Sequence, residues 1–336
     1  TRTALEGMRS ARIAAASLPA RPGVVARPVP ERAGEPSVFK HVVYVIKENR
    51  TYDQMLGDMK EGNGDASLCT FGEQYTPNQH KLAREFVLLD NTYCNSVQSA
   101  DGHQWTDSGI ANEYVERQVA AGFPRSYPGG KGDSGVDALN WATSGFVWDH
   151  VTRGGKTFLN LGEWMISEVR WADPAKDGKP SYQDIVADLR DRGGRIRIAS
   201  RCALSALARH SATDTVGWDL NVPDQFRADR FIEKLRGWES SGGMPDMIYL
   251  CLPNDHTGGT RGKGPTPGAQ IADNDLALGR VVEALSHSRC WSDTVLLCIE
   301  DDPQAGWDHV SGYRTTCFVA SAWTHRHRTV STHYNH

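Results

Sequence analysis

The sequence predicts an α/β fold with a mostly parallel central sheet, and three observations predict it. Runs rich in β-branched and aromatic residues alternate along the chain with segments of helical period. Two of these runs, Val42-Val43-Tyr44-Val45-Ile46 and Thr294-Val295-Leu296-Leu297-Cys298-Ile299, are apolar at every other position and between, as in a strand buried on both faces. Each run ends in polar residues, Glu48-Asn49 and Glu300-Asp301-Asp302, and open α/β sheets keep their ligands beyond the carboxyl ends of such strands.

Element by element, Ala4 to Ala16 reads as a short helix and 18 to 37, with five prolines, as an extended linker, so a first region 1–37 precedes a globular domain 38–336. Strand 41 to 47 is followed by a helix near 51 to 57, a Gly-rich excursion 62 to 72, a helix near 78 to 85 and strand 86 to 90. Helices 104 to 118 and 146 to 153 lead to strand 157 to 161, helix 182 to 191 and strand 195 to 200. The chain then runs through helix 225 to 239, strand 246 to 252, helix 272 to 287, strand 293 to 299 and strand 316 to 321. Alternation of this kind places helices on both faces of one sheet. The polar C-terminal run carries no expected closing element, and with Thr1 at its start the chain reads as a processed or truncated piece.

A length of 336 residues allows a large core, and the formal net charge of -4 with scattered Lys and Arg excludes the basic stripe that holds a nucleic-acid backbone. No run of about 18 apolar residues is present to span a membrane. Seven cysteines form no C-x-x-C pair. Cys251, Cys298 and Cys317 fall in strands as small buried hydrophobes, whereas Cys69, Cys94, Cys202 and Cys290 fall near loops and are free to pair in an oxidising compartment.

The chemistry concentrates at strand ends. A carboxylate and a carboxamide at one strand end and carboxylates at another form an oxygen-rich set suited to a hard or borderline divalent cation. The segment Ser99-Ala100-Asp101-Gly102-His103 lies between a strand and a helix, where backbone amides favour an anion, making Ser99 a candidate nucleophile. Asp255-His256 follows the strand 246 to 252 and offers metal ligands or a proton donor for a leaving oxygen, and Trp307-Asp308-His309 brings a second His to the same edge. Arg261 and Arg314 are candidate phosphate clamps. Insertions 122 to 135, with Phe123 and Tyr127, and 162 to 181, with Trp164 and Trp171, are expected to shape a substrate mouth.

Lys47-Glu48-Asn49-Arg50-Thr51-Tyr52-Asp53 resembles the E-N-R-[ST]-[FY]-D opening of the bacterial phosphoesterase family, which includes phospholipases C and metal-dependent acid phosphatases of the alkaline phosphatase superfamily. The run Phe86 to Cys94 is similar to the family's strand before its nucleophile loop, and Asp301-Asp302 followed by Asp308-His309 resembles its closing signatures. Leu252 to Thr257 and Ala272 to Arg280 look like the branch fused to a bacterial β-propeller. The resemblance implies an α/β/α sandwich and a divalent ion, Ca or Zn, held by Glu48, Asn49, Asp301 and Asp302, with Ser99 completing the shell and Asp255 at a further ligand position. It also implies His256 and His309 as general acids or ligands of a second ion; His103, in the segment of Ser99, is a further catalytic candidate. The phospholipase G-P-[ST]-x-P-N-R loop is missing, Gln98-Ser99-Ala100 stands in its place, and Thr51 and Thr106 are the other available hydroxyls. Tyr313 stands where the branch tends to have His.

The expected activity is a secreted, periplasmic or cell-surface bacterial hydrolase acting on phosphate esters, either small molecules or lipid headgroups, through a phosphoseryl intermediate. Three alternatives remain: a phospholipase C-like phosphodiesterase, a catalytically silent binding module on the same fold, and a sulfatase, for which no C-x-P-S-R or S-x-P-S-R site is present.

Overall fold

The computed structural model describes residues 10–96, 98–121, 138–260, 264–303 and 306–335. Its centre is a five-stranded sheet of β1 (His41–Lys47), β2 (Phe158–Leu161), β3 (Met247–Cys251), β4 (Thr294–Glu300) and β5 (Cys317–Ser321), in the order β5-β4-β1-β3-β2. The first four are mutually parallel and β5 runs antiparallel at one edge. This is the α/β arrangement with a mostly parallel sheet that the sequence predicts.

The continuous apolar runs are explained by two cores, one on each face. Val43, Val45, Ile248, Leu250, Leu296 and Cys298 pack on one side with residues of the helices Pro77–Glu85, Asp224–Ser241 and Pro267–Ser286. Ile46, Tyr249 and Cys251, the alternate residues, pack on the other with Phe146, Trp148, Trp164 and Leu207. Successive side chains of a strand point to opposite faces, so a strand with two covered faces cannot show a polar alternation.

Register fixes the site. Ile46 lies beside Cys251 and Ile299, and Lys47 beside Glu300, so the carboxyl ends of β1, β3 and β4 finish together at one edge. Whatever follows each strand meets there.

Several elements depart from the expectations. The helix expected at 104 to 118 is two helices, Ser99–Ser108 and Glu113–Ala121. Gly109, at φ 69°, caps the first of them, its N–H donating to Trp105 O. That helix begins at Ser99, earlier than expected, and Gly102 within it is a point of close approach, where a Cβ would lie 2.7 Å from Asp301 O. Strands 86 to 90 and 195 to 200 form, but outside the central sheet: Val87–Leu89 pairs with Arg328–Val330, and Ile196–Cys202 forms an antiparallel pair with Met165–Trp171. The C-terminal run does contain strands, since Tyr334–Asn335 also pairs with Thr92–Tyr93. The Pro-rich segment folds back on itself through Arg21, which pairs with Glu31 and Glu35. All seven cysteines are free thiols, so none of Cys69, Cys94, Cys202 and Cys290 is paired. No helix among the described residues is long and apolar enough to cross a membrane.

Candidate active site

Three strand-end segments and one helix start converge at the sheet edge. Asp301 N donates to Lys47 O, holding the residue after β4 against the end of β1. Asn49 turns the chain at φ 63°, a left-handed conformation that Asn tolerates better than most residues. Ser99 is the first residue of its helix, and its Oγ lies 3.1 Å from Asp302 Oδ2, 3.2 Å from Glu48 Oε2 and 3.3 Å from Asn49 Oδ1. All three neighbours are acceptors, and a hydroxyl has only one proton to give.

One helical turn on, His103 faces the same cluster, as i and i+4 residues do. Its Nε2 lies 3.0 Å from Glu48 Oε1 and 3.4 Å from Asp301 Oδ2. Glu48 therefore turns one oxygen to Ser99 and the other to His103. The opposite ring nitrogen, Nδ1, lies 2.9 Å from Glu163 Oε1. Glu163 follows β2 in a turn held from both sides by Asn160, which accepts from Glu163 N and donates to Glu163 O. Its second oxygen accepts from Cys251 Sγ at 2.9 Å, and the next residue, Trp164, at φ 53°, donates its indole N–H to Asp107. The helix is seated by Gly102 against Asp301 and by Ser96 Oγ, which donates to Asp301 O.

The residues just behind carry the compensating charge. Lys47 and Glu300 are register partners whose side chains meet at 2.7 Å, and Thr316 Oγ1 donates to the same Glu300 oxygen. Glu300 thus turns away from Ser99, leaving Asp301 and Asp302 as the acidic residues of that cluster. Asp255 is also placed behind it: Oδ1 accepts from Glu48 N at 3.0 Å and Oδ2 pairs with Lys47 at 3.0 Å. Its position is that of a support for Glu48, not of a ligand beside Ser99.

Burial pushes the Glu48 and Asp301 carboxyls above the usual carboxylate range, with the neighbouring acids Asp302 and Glu48 adding to the rise at Asp301. Burial alone would lower the His103 ring, but Glu163 and Asp301 overcome it and hold it well above the ordinary value. Glu163 moves down, because His103 outweighs the upward push of burial. Carboxylates crowded in a buried place need a cation. One donor atom each from Glu48, His103 and Asp301 lies within 4.8 Å of the others, a grouping that fits one divalent ion, with Asn49, Asp302 and Ser99 oxygens adjoining.

His256 stands in the short 3₁₀ turn Asn254–His256, edge-on to Trp218 at 4.7 Å between ring centroids, with Nδ1 2.9 Å from Thr257 O. Arg50 donates to the carbonyls of Asp255 and His256, and Thr257 holds φ 64° and ψ 154°, a backbone state rare for a β-branched residue. The His256 imidazole lies near enough to Glu48 to oppose in part the upward push of burial on that carboxyl.

His309, expected on the leaving-group side, lies in a second cluster with Asp53 and Asp308, its ring nitrogens meeting Asp53 Oδ2 at 2.6 Å and Asn63 Oδ1 at 3.3 Å. Arg314, expected as a phosphate clamp, is buried in that cluster and bridges Asp53 and Asp308 at 3.0 Å each. Arg261 and the segment 122–135 lie outside the described residues. Thr51 caps the helix Tyr52–Leu56 and donates to Trp307 O, and Thr106 donates to His103 O, so both hydroxyls have structural duties. Trp164 is core, not substrate mouth, and Trp171 lies in a strand under Lys176. Tyr313 is exposed.

Glu163 was not among the sequence candidates. The signal is in the sequence: Leu161-Gly162-Glu163 puts an acidic residue just past a strand, as Glu48 and Asp301 are, but the Gly and Trp on either side of it mark the start of an insertion.

The chain matches no protein-family model and no curated protein sequence. Its fold is similar to solved structures of low identity. One is a protein of the alkaline phosphatase superfamily from Vibrio parahaemolyticus, at TM-score 0.50 and 13% identity over 97% of this chain and 71% of that one. Another is Ps i-CgsB, solved in complex with a neocarrahexaose, at TM-score 0.50 and 10% identity over 88% of this chain and 69% of that one. A third is a Bacteroides thetaiotaomicron protein described with the metabolism of multiple glycosaminoglycans, at TM-score 0.50 and 11% identity over 88% and 70% of the two chains. The likeness is one of fold: an alkaline phosphatase-like α/β domain with a mostly parallel sheet.

Proposed function

We propose that this chain is a metal-dependent hydrolase of phosphate esters with Ser99 as nucleophile. The observation that carries the reading is the position of Ser99 Oγ, at the start of a helix and within 3.3 Å of two carboxylates and a carboxamide oxygen from two different strand ends. A serine serving as a turn or cap residue has no need of that company.

A divalent ion held by Glu48, Asn49, Asp301 and Asp302 would supply positive charge to the nucleophile and to the phosphoryl oxygens. The remaining work belongs to the chain. Asp302 Oδ2 and Glu48 Oε2 are placed to take the Ser99 hydroxyl proton. Ser99 Oγ bonds to phosphorus while the bond to the ester oxygen breaks, and the first helical amides face the phosphoryl oxygens. His256 protonates the departing alkoxide, and water then releases phosphate from the phosphoserine.

The test is turnover of p-nitrophenyl phosphate, bis(p-nitrophenyl) phosphate and p-nitrophenyl sulfate by the wild type and by Ser99→Ala. Phosphate-ester turnover lost in Ser99→Ala supports the reading, and the mono- or diester preference separates a phosphatase from a phospholipase C-like enzyme. Sulfate-ester turnover alone would make it a sulfatase, and a metal-binding protein inert toward all three a silent module.

A further inference from the structure

We propose that His103 ligates the ion through Nε2, that Glu163 is the positioning residue for that imidazole, and that the pair makes the site selective for a borderline ion such as Zn²⁺, Mn²⁺ or Co²⁺ over Ca²⁺. The proposal rests on the metal-dependent reading above and adds the class of metal and two residues.

The geometry is that of an imidazole presented by a carboxylate. Nδ1 and Nε2 of His103 are both engaged by acids, but the two sides differ. On the Nδ1 side Glu163 is a dead end, enclosed by Asn160, Cys251 and the Trp164–Asp107 pair, and it is fully buried. On the Nε2 side are Glu48 and Asp301, oxygens already grouped with Ser99, Asn49 and Asp302. With Nδ1–H kept by Glu163, a cation that takes the place of the Nε2 proton meets the Nε2 lone pair on the carboxylate side, the usual arrangement behind a metal-ligating histidine. Nε2 sits 3.0 and 3.4 Å from their oxygens, close to the donor–donor edge of about 3.3 Å that ligands at ordinary zinc bond lengths define.

The chain invests local structure in this pair. Gly162, at φ 126°, lies where a Cβ would come 2.9 Å from Cys251 Cβ, and Trp164 is held at positive φ by its bond to Asp107. Glu163 is thereby fixed between two unusual backbone positions. An all-oxygen site suits Ca²⁺, and replacing one oxygen by a neutral imidazole shifts preference toward borderline ions.

The test is calorimetric titration of the metal-stripped protein with Zn²⁺, Mn²⁺ and Ca²⁺, for wild type, His103→Gln, Glu163→Gln and Ser99→Ala. The expected result is tighter Zn²⁺ than Ca²⁺ binding by the wild type, with Glu163→Gln weakening Zn²⁺ by roughly 10–100-fold while leaving Ca²⁺ nearly unchanged. Equal losses for all ions, or none, in His103→Gln and Glu163→Gln overturn the role of the pair and leave the metal-dependent reading standing. No binding of any ion by the wild type overturns both. Should the variants fail to fold, proton NMR of the Co²⁺-loaded wild type decides, since a ligating imidazole gives a strongly shifted exchangeable ring N–H assigned to His103, and its absence overturns the proposal.

Discussion

Among the described residues, two clusters are of like composition, each with carboxylates and one histidine, and they differ in what sits among the acids. Around Ser99, the groups meeting Glu48 and Asp301 include the imidazole of His103. Around Asp53 and Asp308 it is the guanidinium of Arg314, buried and bridging both acids. An imidazole can shed its proton and give a lone pair to a metal, whereas a guanidinium keeps its charge and has no acceptor. The first cluster can therefore exchange its compensating charge for a divalent ion. The second has its cation built in, and holds the segment from Trp307 to Arg314 against the helix after β1.

The largest expected effect that sharpens this contrast is in catalysis. Ser99→Ala should lower phosphate-ester turnover by at least about 10³-fold with an unchanged melting curve. Asp301→Asn should do the same, and retained activity in either would remove the first cluster from the chemistry.

Next comes stability. Arg314→Met should cost about 3–5 kcal/mol in denaturant unfolding, because it strands two buried carboxylates. Divalent-ion affinity of whatever fraction folds should be unaltered. A loss of affinity with full stability would reverse the roles assigned to the two clusters.

Gly102→Ala should cost about 1–3 kcal/mol through overpacking against the Asp301 backbone. Because that contact seats the helix carrying Ser99 and His103, turnover should fall along with stability. A variant that is destabilised but fully active would separate helix seating from the site.

The smallest effect is on melting temperature. Removing divalent ions with EDTA should lower it in the wild type, since a ligand bound only by the folded state stabilises that state. Asp301→Asn should abolish the difference and His309→Asn should preserve it.

The sheet was legible in the sequence because burial on both faces leaves an unbroken apolar run, and Val42 to Ile46 and Thr294 to Ile299 admit few other readings. The meeting of Glu48 with Asp301 follows from parallel strands ending in register. Side-chain direction at the strand ends was not legible: Glu300 and Asp301 are neighbours in sequence yet face opposite ways, as pleating requires, and the run of three acids conceals which of them is diverted to Lys47. Nor was the difference between His103 and His309 legible. Both follow an acidic or glycine-rich turn, and only the fold shows that Arg314 has taken the central place beside one of them. The nearness of Ser99 to a helix start was legible, but the reason for the glycine at 102, the approach of Asp301, lies about 200 residues away in sequence.

The central claim is that Ser99 becomes covalently attached to phosphorus during turnover. Acid quenching of the metal-loaded enzyme during hydrolysis of p-nitrophenyl phosphate, followed by peptide mass mapping, tests it directly. The account predicts one added phosphoryl group on the peptide containing Ser99, absent from Ser99→Ala. Turnover without any such adduct, continuing at the wild-type rate in Ser99→Ala, would contradict it.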